Sequence, residues 1–248
     1  QDEFERLYVQ YENDQSIRKK RIKAVELFSL FMQERASTGR IYLQNVDHTN
    51  NHSPFDPEVA PIRQSNLCLE IALPTKPLKH INDEEGEIAL CTLSAFNLGE
   101  IKSLDDFEEL ADLSVRALDS LLDYQDYPVP AAYNASMNRR TLGIGVINFA
   151  YYLAKNGVRY SDGSANALVH RTFEAMQYYL MKASNELAKE KGACPKFNET
   201  RTSKGILPID TYKKDVDAIC SEPLHYDWEG LRASIKQYGL RNSTLPAL

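Results

Sequence analysis

Asparagine, cysteine and glutamate alternate with apolar residues over residues 66–71, and these three residue types together could do chemistry. An alternating pattern predicts extended backbone, with Asn66, Cys68 and Glu70 on one face and the apolar residues anchored on the other. Neighbouring groups on one face would lie about 7 Å apart, so a sugar-sized substrate could contact an amide, a thiol and a carboxylate. Taken alone, the stretch also fits a half-buried strand with a structural cysteine, which is the commoner arrangement.

The elements around this stretch alternate between helices and short strands, which indicates an α/β protein. Ser103 and Asp106 resemble a helix capping box, and Asp227 is a plausible helix N-cap. Gly39, Gly192 and Gly239 are plausible helix stops. The predicted helices lie in residues 1–37, 103–122, 146–157, 164–191 and 228–238; the predicted strands are 41–43, 66–73 and 88–96; loops are expected over 44–65 and 124–130.

Composition restricts the class of protein. The 248 residues could form one large domain or two small ones, and 43% apolar residues suffice for a packed core. The net charge of −6 argues against a nucleic-acid partner, because such a surface would be basic. The basic run at residues 18–21 is therefore interpreted as a solvated helix face. No apolar run approaches the roughly 20 residues of a membrane span.

The four cysteines are Cys68, Cys91, Cys194 and Cys220, and none forms a C-x-x-C pair or a zinc-binding spacing. A secreted disulfide scaffold is not indicated, and a reducing cytoplasm fits better. Cys194 and Cys220 have no partner by sequence and are predicted to be inert. No signal peptide is recognisable, and both ends are expected to be cuts through a larger protein.

Three other stretches could suggest ligand sites. His48 and His52 are four residues apart, but the surrounding prolines and asparagines predict a loop without a third ligand, so no metal site is predicted. The acidic turn at residues 83–87 lacks a calcium-binding pattern. Gly143 and Gly145 lack the third glycine and the preceding strand of a dinucleotide-binding turn, so no such turn is predicted.

Several motifs, in order along the whole chain, resemble the large subunit of class I ribonucleotide reductase. Residues 65–74 (SNLCLEIALP) resemble its radical-cysteine segment, and residues 89–99 (ALCTLSAFNLG) resemble a strand that carries a redox cysteine. Residues 33–42 and 239–245 also resemble this family, although Pro246 departs from its pattern. The stretch around Gly143 and Gly145 resembles a barrel element of the family, which favours a packing role for these glycines. The chain ends before the family's phosphate-binding turn, which cannot be assigned here.

The resemblance implies a fold that periodicity alone does not give. It implies a helix-rich α/β fold in which residues 1–248 are a fragment of a ten-stranded α/β barrel, built of two five-stranded halves around a central finger loop at about residues 61–74. The allosteric, ATP-binding nucleotide-sensing region at the N-terminus and the C-terminal part of the subunit are expected to be absent.

The resemblance also implies roles. A sulfur radical on Cys68 would abstract the 3′ hydrogen of a ribonucleotide, Glu70 would act as general base, and Asn66 would hold the sugar hydroxyls. Cys91 would be half of a redox-active disulfide whose partner lies outside the chain.

The implied partners are a ribonucleoside diphosphate substrate, a metal-containing small subunit that supplies the radical, a second large subunit, the rest of this large subunit, and thioredoxin or glutaredoxin as reductant. No cofactor is expected in the chain itself. Two alternatives stay open: a non-catalytic piece of a split or truncated large subunit that acts only after assembly, and an unrelated α/β binding module.

Overall fold

The computed structural model of the protein describes residues 2–90 and 92–246, and the chain divides into two units at Leu43 and Gln44. The first unit contains α1 (Asp2–Asn13) and α2 (Ala24–Thr38). The second unit contains α3 (Val46–His52), β1 (Leu93–Asn97), α4 (Asp106–Tyr124), α5 (Pro130–Arg139), β2 (Gly143–Ile147), α6 (Phe149–Lys155), α7 (Asn166–Lys191), α8 (Pro208–Thr211) and α9 (Trp228–Tyr238), with short 3₁₀ turns at Phe197–Glu199, Thr202–Lys204 and Lys214–Ala218.

The first unit contains two helices where the sequence pattern predicts a single helical region. The break follows α1, where the Asp14 carboxylate accepts hydrogen bonds from the backbone N–H and the hydroxyl of Ser16. Gly39 ends α2 in the left-handed conformation (φ 66°), and its N–H donates to the Arg35 carbonyl, so the predicted stop is confirmed. The predicted strand at residues 41–43 is wrong: this segment is irregular, and the Arg35 guanidinium binds the Ile41 carbonyl.

The second unit is built on a parallel pair of strands. β1 and β2 align in register from Leu93 opposite Gly143 to Asn97 opposite Ile147. A third segment begins beside β2, because the Ile144 N–H donates to the Leu245 carbonyl (2.8 Å) and Ile144 forms a parallel bridge with Pro246. Across the described residues the sheet stays open, as expected for part of a barrel.

Helices α4, α7 and α9 pack in series, α7 against both of the others, and share one apolar core with the strands. Phe107, Val115 and Leu122 of α4 are buried, whereas Leu121 is exposed. Burial of such side chains contributes about 1.5–3 kcal/mol each, so this layer fixes the positions of the strands. α9 begins and ends as predicted, because the Asp227 side chain accepts from the Gly230 N–H (2.8 Å) and Gly239 ends the helix.

Other sequence-based predictions of secondary structure need correction. Residues 46–52 form α3 rather than loop. Pro130, predicted as the end of a loop, begins α5, because its missing N–H has no cost in the first helical turn. The helix predicted over residues 146–157 is shorter, because Val146 and Ile147 belong to β2 and α6 spans Phe149–Lys155. Gly143 and Gly145 therefore lie inside a strand, which agrees with a packing role rather than a dinucleotide-binding turn.

Candidate active site

The stretch from Asn66 to Ile71 is a tight turn, so the strand prediction for these residues is wrong. The Leu69 N–H donates to the Asn66 carbonyl (3.2 Å), and Leu69 itself adopts a left-handed conformation (φ 66°). The ends of the turn are joined because the Asn66 N–H and the Ser65 hydroxyl both donate to the Ile71 carbonyl, and the Ile71 N–H donates to the Asn66 side chain.

The turn changes which side chains meet. The Asn66 amide donates directly to the Glu70 carboxylate at 2.6 Å, a contact that an extended strand would not allow. Cys68 lies between them in the turn and is exposed. The predicted apolar anchor face is also wrong in part, because Leu67 is 84% exposed. Ile71 does pack inward, against the buried cluster of Phe55, Ala60, Ile62 and Leu73.

A cavity of about 450 Å³ lies beside this turn. Among the described residues, Glu70 and residues 71–73 line it, whereas Asn66 and Cys68 do not. The opposite wall is formed where the parallel segments begin, by Thr92, residues 141–143 and residues 243–246. The cavity therefore joins the cysteine-bearing turn to the ends of the sheet.

Cys91 lies outside the described residues, so its side chain is not described. Its chain neighbours Leu90 and Thr92 line the same cavity as Glu70. The segments that carry the two cysteines predicted to be functional thus meet at one cavity.

The remaining cysteines differ in their surroundings. Cys194 is a buried free thiol, and burial raises its pKa to about 12, which keeps it protonated and inert. Cys220 is a partly exposed free thiol. His48 and His52 lie on α3, and among residues 2–90 and 92–246 no group of three potential ligands is placed to hold a metal ion.

A buried ion network positions the segment that leads to Cys91. Glu87 is 6% exposed and receives hydrogen bonds of 2.6 Å from both Arg139 and Lys196, while Arg139 also binds Glu199 at 2.8 Å. Burial opposes ionisation of Glu87, but the hydrogen bonds from Lys196 and Arg139 outweigh it and lower its pKa. The network ties residues 76–87 to the C-terminal end of α5.

A second network is centred on the fully buried Asp119 of α4. Its carboxylate accepts from Arg140 at 2.6 Å and from Asn242 at 3.2 Å, and Asn242 also donates to the Arg140 carbonyl. Arg140 has a left-handed backbone (φ 46°), which ends α5 and turns the chain toward β2. These contacts fix the two segments that wall the cavity opposite Glu70. Asn242 lies in the stretch at residues 239–245, for which the sequence predicts no role.

Helices packed on a parallel pair of strands, with a thiol-bearing turn beside a cavity, place this chain in the α/β class. The sequence matches the family described as "Ribonucleotide reductase, barrel domain" over residues 1–248, and the chain belongs to that family. The predicted fold class, part of the ribonucleotide reductase barrel, is thereby confirmed.

Relatives from several sources support this assignment. The chain is 77% identical over 248 residues to a ribonucleoside-diphosphate reductase subunit alpha of Haemophilus influenzae and 81% identical to a ribonucleoside-diphosphate reductase 1 subunit alpha of Salmonella typhimurium. It is 54% identical to subunit alpha of Enterobacteria phage T4 over 250 residues. Each alignment covers 100% of this chain but only 32–33% of the relative, so the chain spans about a third of their length.

Across residues 2–90 and 92–246, no helix combines the length and apolar character needed to cross a bilayer.

Proposed function

We propose that this chain supplies the catalytic turn of a ribonucleoside-diphosphate reductase large subunit, which forms 2′-deoxyribonucleotides for DNA synthesis. The observation that carries the proposal is the turn itself: an amide–carboxylate pair, Asn66 and Glu70, brackets an exposed thiol beside a cavity that residues flanking Cys91 also line. The relatives from Haemophilus influenzae and Salmonella typhimurium are named as ribonucleoside-diphosphate reductase alpha subunits, which agrees with this function.

The reaction replaces the 2′-hydroxyl of a ribose by hydrogen, and hydroxide is a poor leaving group from an unactivated carbon. A sulfur radical on Cys68 abstracts the 3′ hydrogen, and the resulting carbon radical weakens the adjacent C2′–O bond. An S–H bond is similar in strength to this C–H bond, so the same hydrogen can be returned at the end. Cys68 is therefore regenerated in each cycle.

Glu70 accepts the proton of the 3′-hydroxyl while the 2′-hydroxyl leaves as water. General-base catalysis requires a carboxylate within hydrogen-bond reach of the proton, and Glu70 lines the cavity where the sugar would bind. Asn66 orients the sugar hydroxyls, and its amide already contacts the Glu70 carboxylate. A substrate hydroxyl would form hydrogen bonds with the Asn66 amide and the Glu70 carboxylate.

The two electrons come from a dithiol made of Cys91 and a second cysteine outside this chain. The dithiol gives two electrons and two protons, the substrate gains hydrogen at C2′ and loses water, and the two sulfurs form a disulfide. Thiol–disulfide exchange with thioredoxin or glutaredoxin then restores the dithiol.

The assembly that we propose contains the rest of the large subunit, a second copy of it, and a metal-containing small subunit that generates the radical. The chain binds no cofactor of its own in this scheme. The cytoplasm is the proposed location, because a dithiol cycle of this kind needs a reducing compartment.

The test is reconstitution. The full-length large subunit that contains this segment is combined with its small subunit, thioredoxin and a ribonucleoside diphosphate, and deoxynucleotide is quantified. We expect product only when the small subunit and a dithiol reductant are both present. No product from the complete mixture, or product without the small subunit, would contradict the proposal.

A further inference from the structure

We propose that Asn50 is a positioning residue that fixes the base of the turn carrying Cys68, so that the radical sulfur is held at the correct distance from the substrate. This inference rests on the proposed function, and it concerns a residue of α3 that lies outside the turn itself.

The Asn50 side chain binds both polar backbone groups of Ile62. Its amide N–H donates to the Ile62 carbonyl at 2.8 Å, and its amide oxygen accepts from the Ile62 N–H at 2.8 Å. The second amide hydrogen is used as well, since the same nitrogen donates to the Val46 carbonyl at 2.9 Å. The Asn50 side chain thus makes the two backbone hydrogen bonds with Ile62 that a neighbouring strand would otherwise make.

Asn50 is itself held from the opposite side by Arg201. The Arg201 guanidinium donates to the Asn50 carbonyl at 2.9 Å and to the Phe55 carbonyl at 3.3 Å, and its backbone N–H donates to the Pro54 carbonyl at 2.7 Å. The C-terminal end of α3 is therefore fixed to residues 200–201, and this anchor extends through Asn50 to Ile62.

Ile62 is the point at which this anchor reaches the turn. Ile62 is buried in one cluster with Leu73. Ile62 lies before the turn and Leu73 lies after it, so this cluster holds the chain on both sides of the turn. Cys68 lies six residues after Ile62 and five before Leu73. A shift of Ile62 would move the whole turn relative to the cavity.

The turn would move as a body because its own hydrogen bonds are internal. The contacts from Asn66 to Glu70 and to Ile71 do not involve Asn50. Loss of the Asn50 bonds should therefore displace Cys68 without undoing the turn. Hydrogen abstraction depends steeply on the distance between the reacting atoms, and a misplacement of about 1 Å can cost about 100-fold in rate.

The experiment uses the full-length large subunit assembled with its small subunit and compares wild type, Asn50→Asp, Asn50→Ala and Asn51→Asp. Asn50→Asp keeps the size and the acceptor for the Ile62 N–H, but places a carboxylate against the Ile62 carbonyl. Asn51→Asp makes the same charge change on the adjacent, exposed residue of α3. Readouts are kcat, the product formed per subunit in a single turnover, and the isotope effect with substrate deuterated at C3′.

We expect kcat to fall about 10- to 100-fold in both Asn50 variants, with the 3′ isotope effect increased because hydrogen abstraction has become slower. Asn51→Asp should match wild type in all three readouts. Alternatively, kcat could fall only in proportion to the product formed per subunit, with an unchanged isotope effect. That result would show that fewer subunits are folded and active, and it would overturn the inference.

Wild-type kcat in both Asn50 variants would overturn this inference while leaving the proposed function standing. An assembled wild-type enzyme that forms no deoxynucleotide would overturn both. The two failures are therefore distinguishable within one set of assays.

Discussion

Glu70 is exposed at the cavity and accepts a hydrogen bond from Asn66, and a glutamine at this position could keep that bond but could not take a proton. We predict that Glu70→Gln binds substrate as wild type does while kcat falls about 10²- to 10⁴-fold, the range typical of lost general-base catalysis. Substrate Kd and single-turnover rates check this separately. Glu109→Gln, on the exposed face of α4, is the control. Equal losses of binding and turnover would instead indicate a positioning role for Glu70.

The thiols should differ in reactivity in the native 248-residue chain. Thiolate is the reactive form, and the buried Cys194 has a pKa raised to about 12, whereas Cys68 is exposed. We predict that iodoacetamide at pH 8 alkylates Cys68 at least about tenfold faster than Cys194. Peptide mapping by mass spectrometry measures both rates, and denaturation in urea should remove the difference. Equal native rates would contradict the described burial of Cys194.

At the scale of elements, the residue pattern predicted those helices whose ends are set by residues close together in the sequence. Asp227, Gly239 and the apolar face of α9 define that helix in the sequence as they do in the structure. The turn at residues 66–71 was harder to predict, because alternation of apolar and polar residues is the signal of a strand. The contact between Asn66 and Glu70 depends on the left-handed backbone conformation of Leu69. Leucine rarely adopts this conformation, and no residue pattern predicts it.

The buried polar networks could not be predicted from the sequence either. Asn242 belongs to a motif that resembles the family, yet its side chain binds Asp119 and the Arg140 carbonyl within the fold. Residue type alone does not distinguish such a structural role from a role in substrate binding. The partners lie more than 100 positions away in the sequence, so only the tertiary structure reveals them.

The Glu87 network predicts a specific acid sensitivity. Burial opposes ionisation of Glu87, but Lys196 and Arg139 lower its pKa below the ordinary value of 4.5. Its stabilising contribution is therefore complete above about pH 4.5 and is lost as the pH falls through the lower pKa of the folded state. Glu87→Gln should be less stable than wild type at pH 7 but should lose less stability on acidification.

Urea unfolding of the chain at pH 7, 5, 4 and 3.5 measures this difference. Glu85→Gln is the control, because Glu85 is exposed and its ion pair with the exposed Lys79 contributes little to stability. If Glu87→Gln and wild type lost stability in parallel below pH 4.5, the Glu87 network would not be the cause.

At the scale of the whole molecule, the barrel was predicted from family resemblance and not from periodicity. The described residues form two paired strands and the start of a third, and such an open sheet gives no pattern that specifies a closed barrel. The chain also spans about a third of its relatives. The remaining walls of the site, the second redox cysteine and the route for the radical must come from other polypeptide segments under our proposal.

We therefore predict that the 248-residue chain alone forms no deoxynucleotide and, when folded, no disulfide between Cys68 and Cys91. Cys68 must stay a free thiol to carry the radical, and the proposed partner of Cys91 lies outside the chain. The chain is expressed alone, assayed with small subunit and reductant, and mapped for disulfides by mass spectrometry. Turnover by the isolated chain, or a Cys91 disulfide within it that forms as ribonucleotide is reduced, would contradict this account of assembly.

The most direct test of the central claim is Cys68→Ala in the assembled enzyme, with deoxynucleotide formation and the melting temperature measured on the same sample. Cys68 is exposed in the turn, and substitutions at such positions usually change the free energy of unfolding by less than about 0.5 kcal/mol. Cys220→Ala is the matched control at a cysteine outside the proposed mechanism. We predict that Cys68→Ala abolishes turnover with an unchanged melting temperature, whereas Cys220→Ala stays active. Retained turnover in Cys68→Ala would show that this sulfur does not carry the radical.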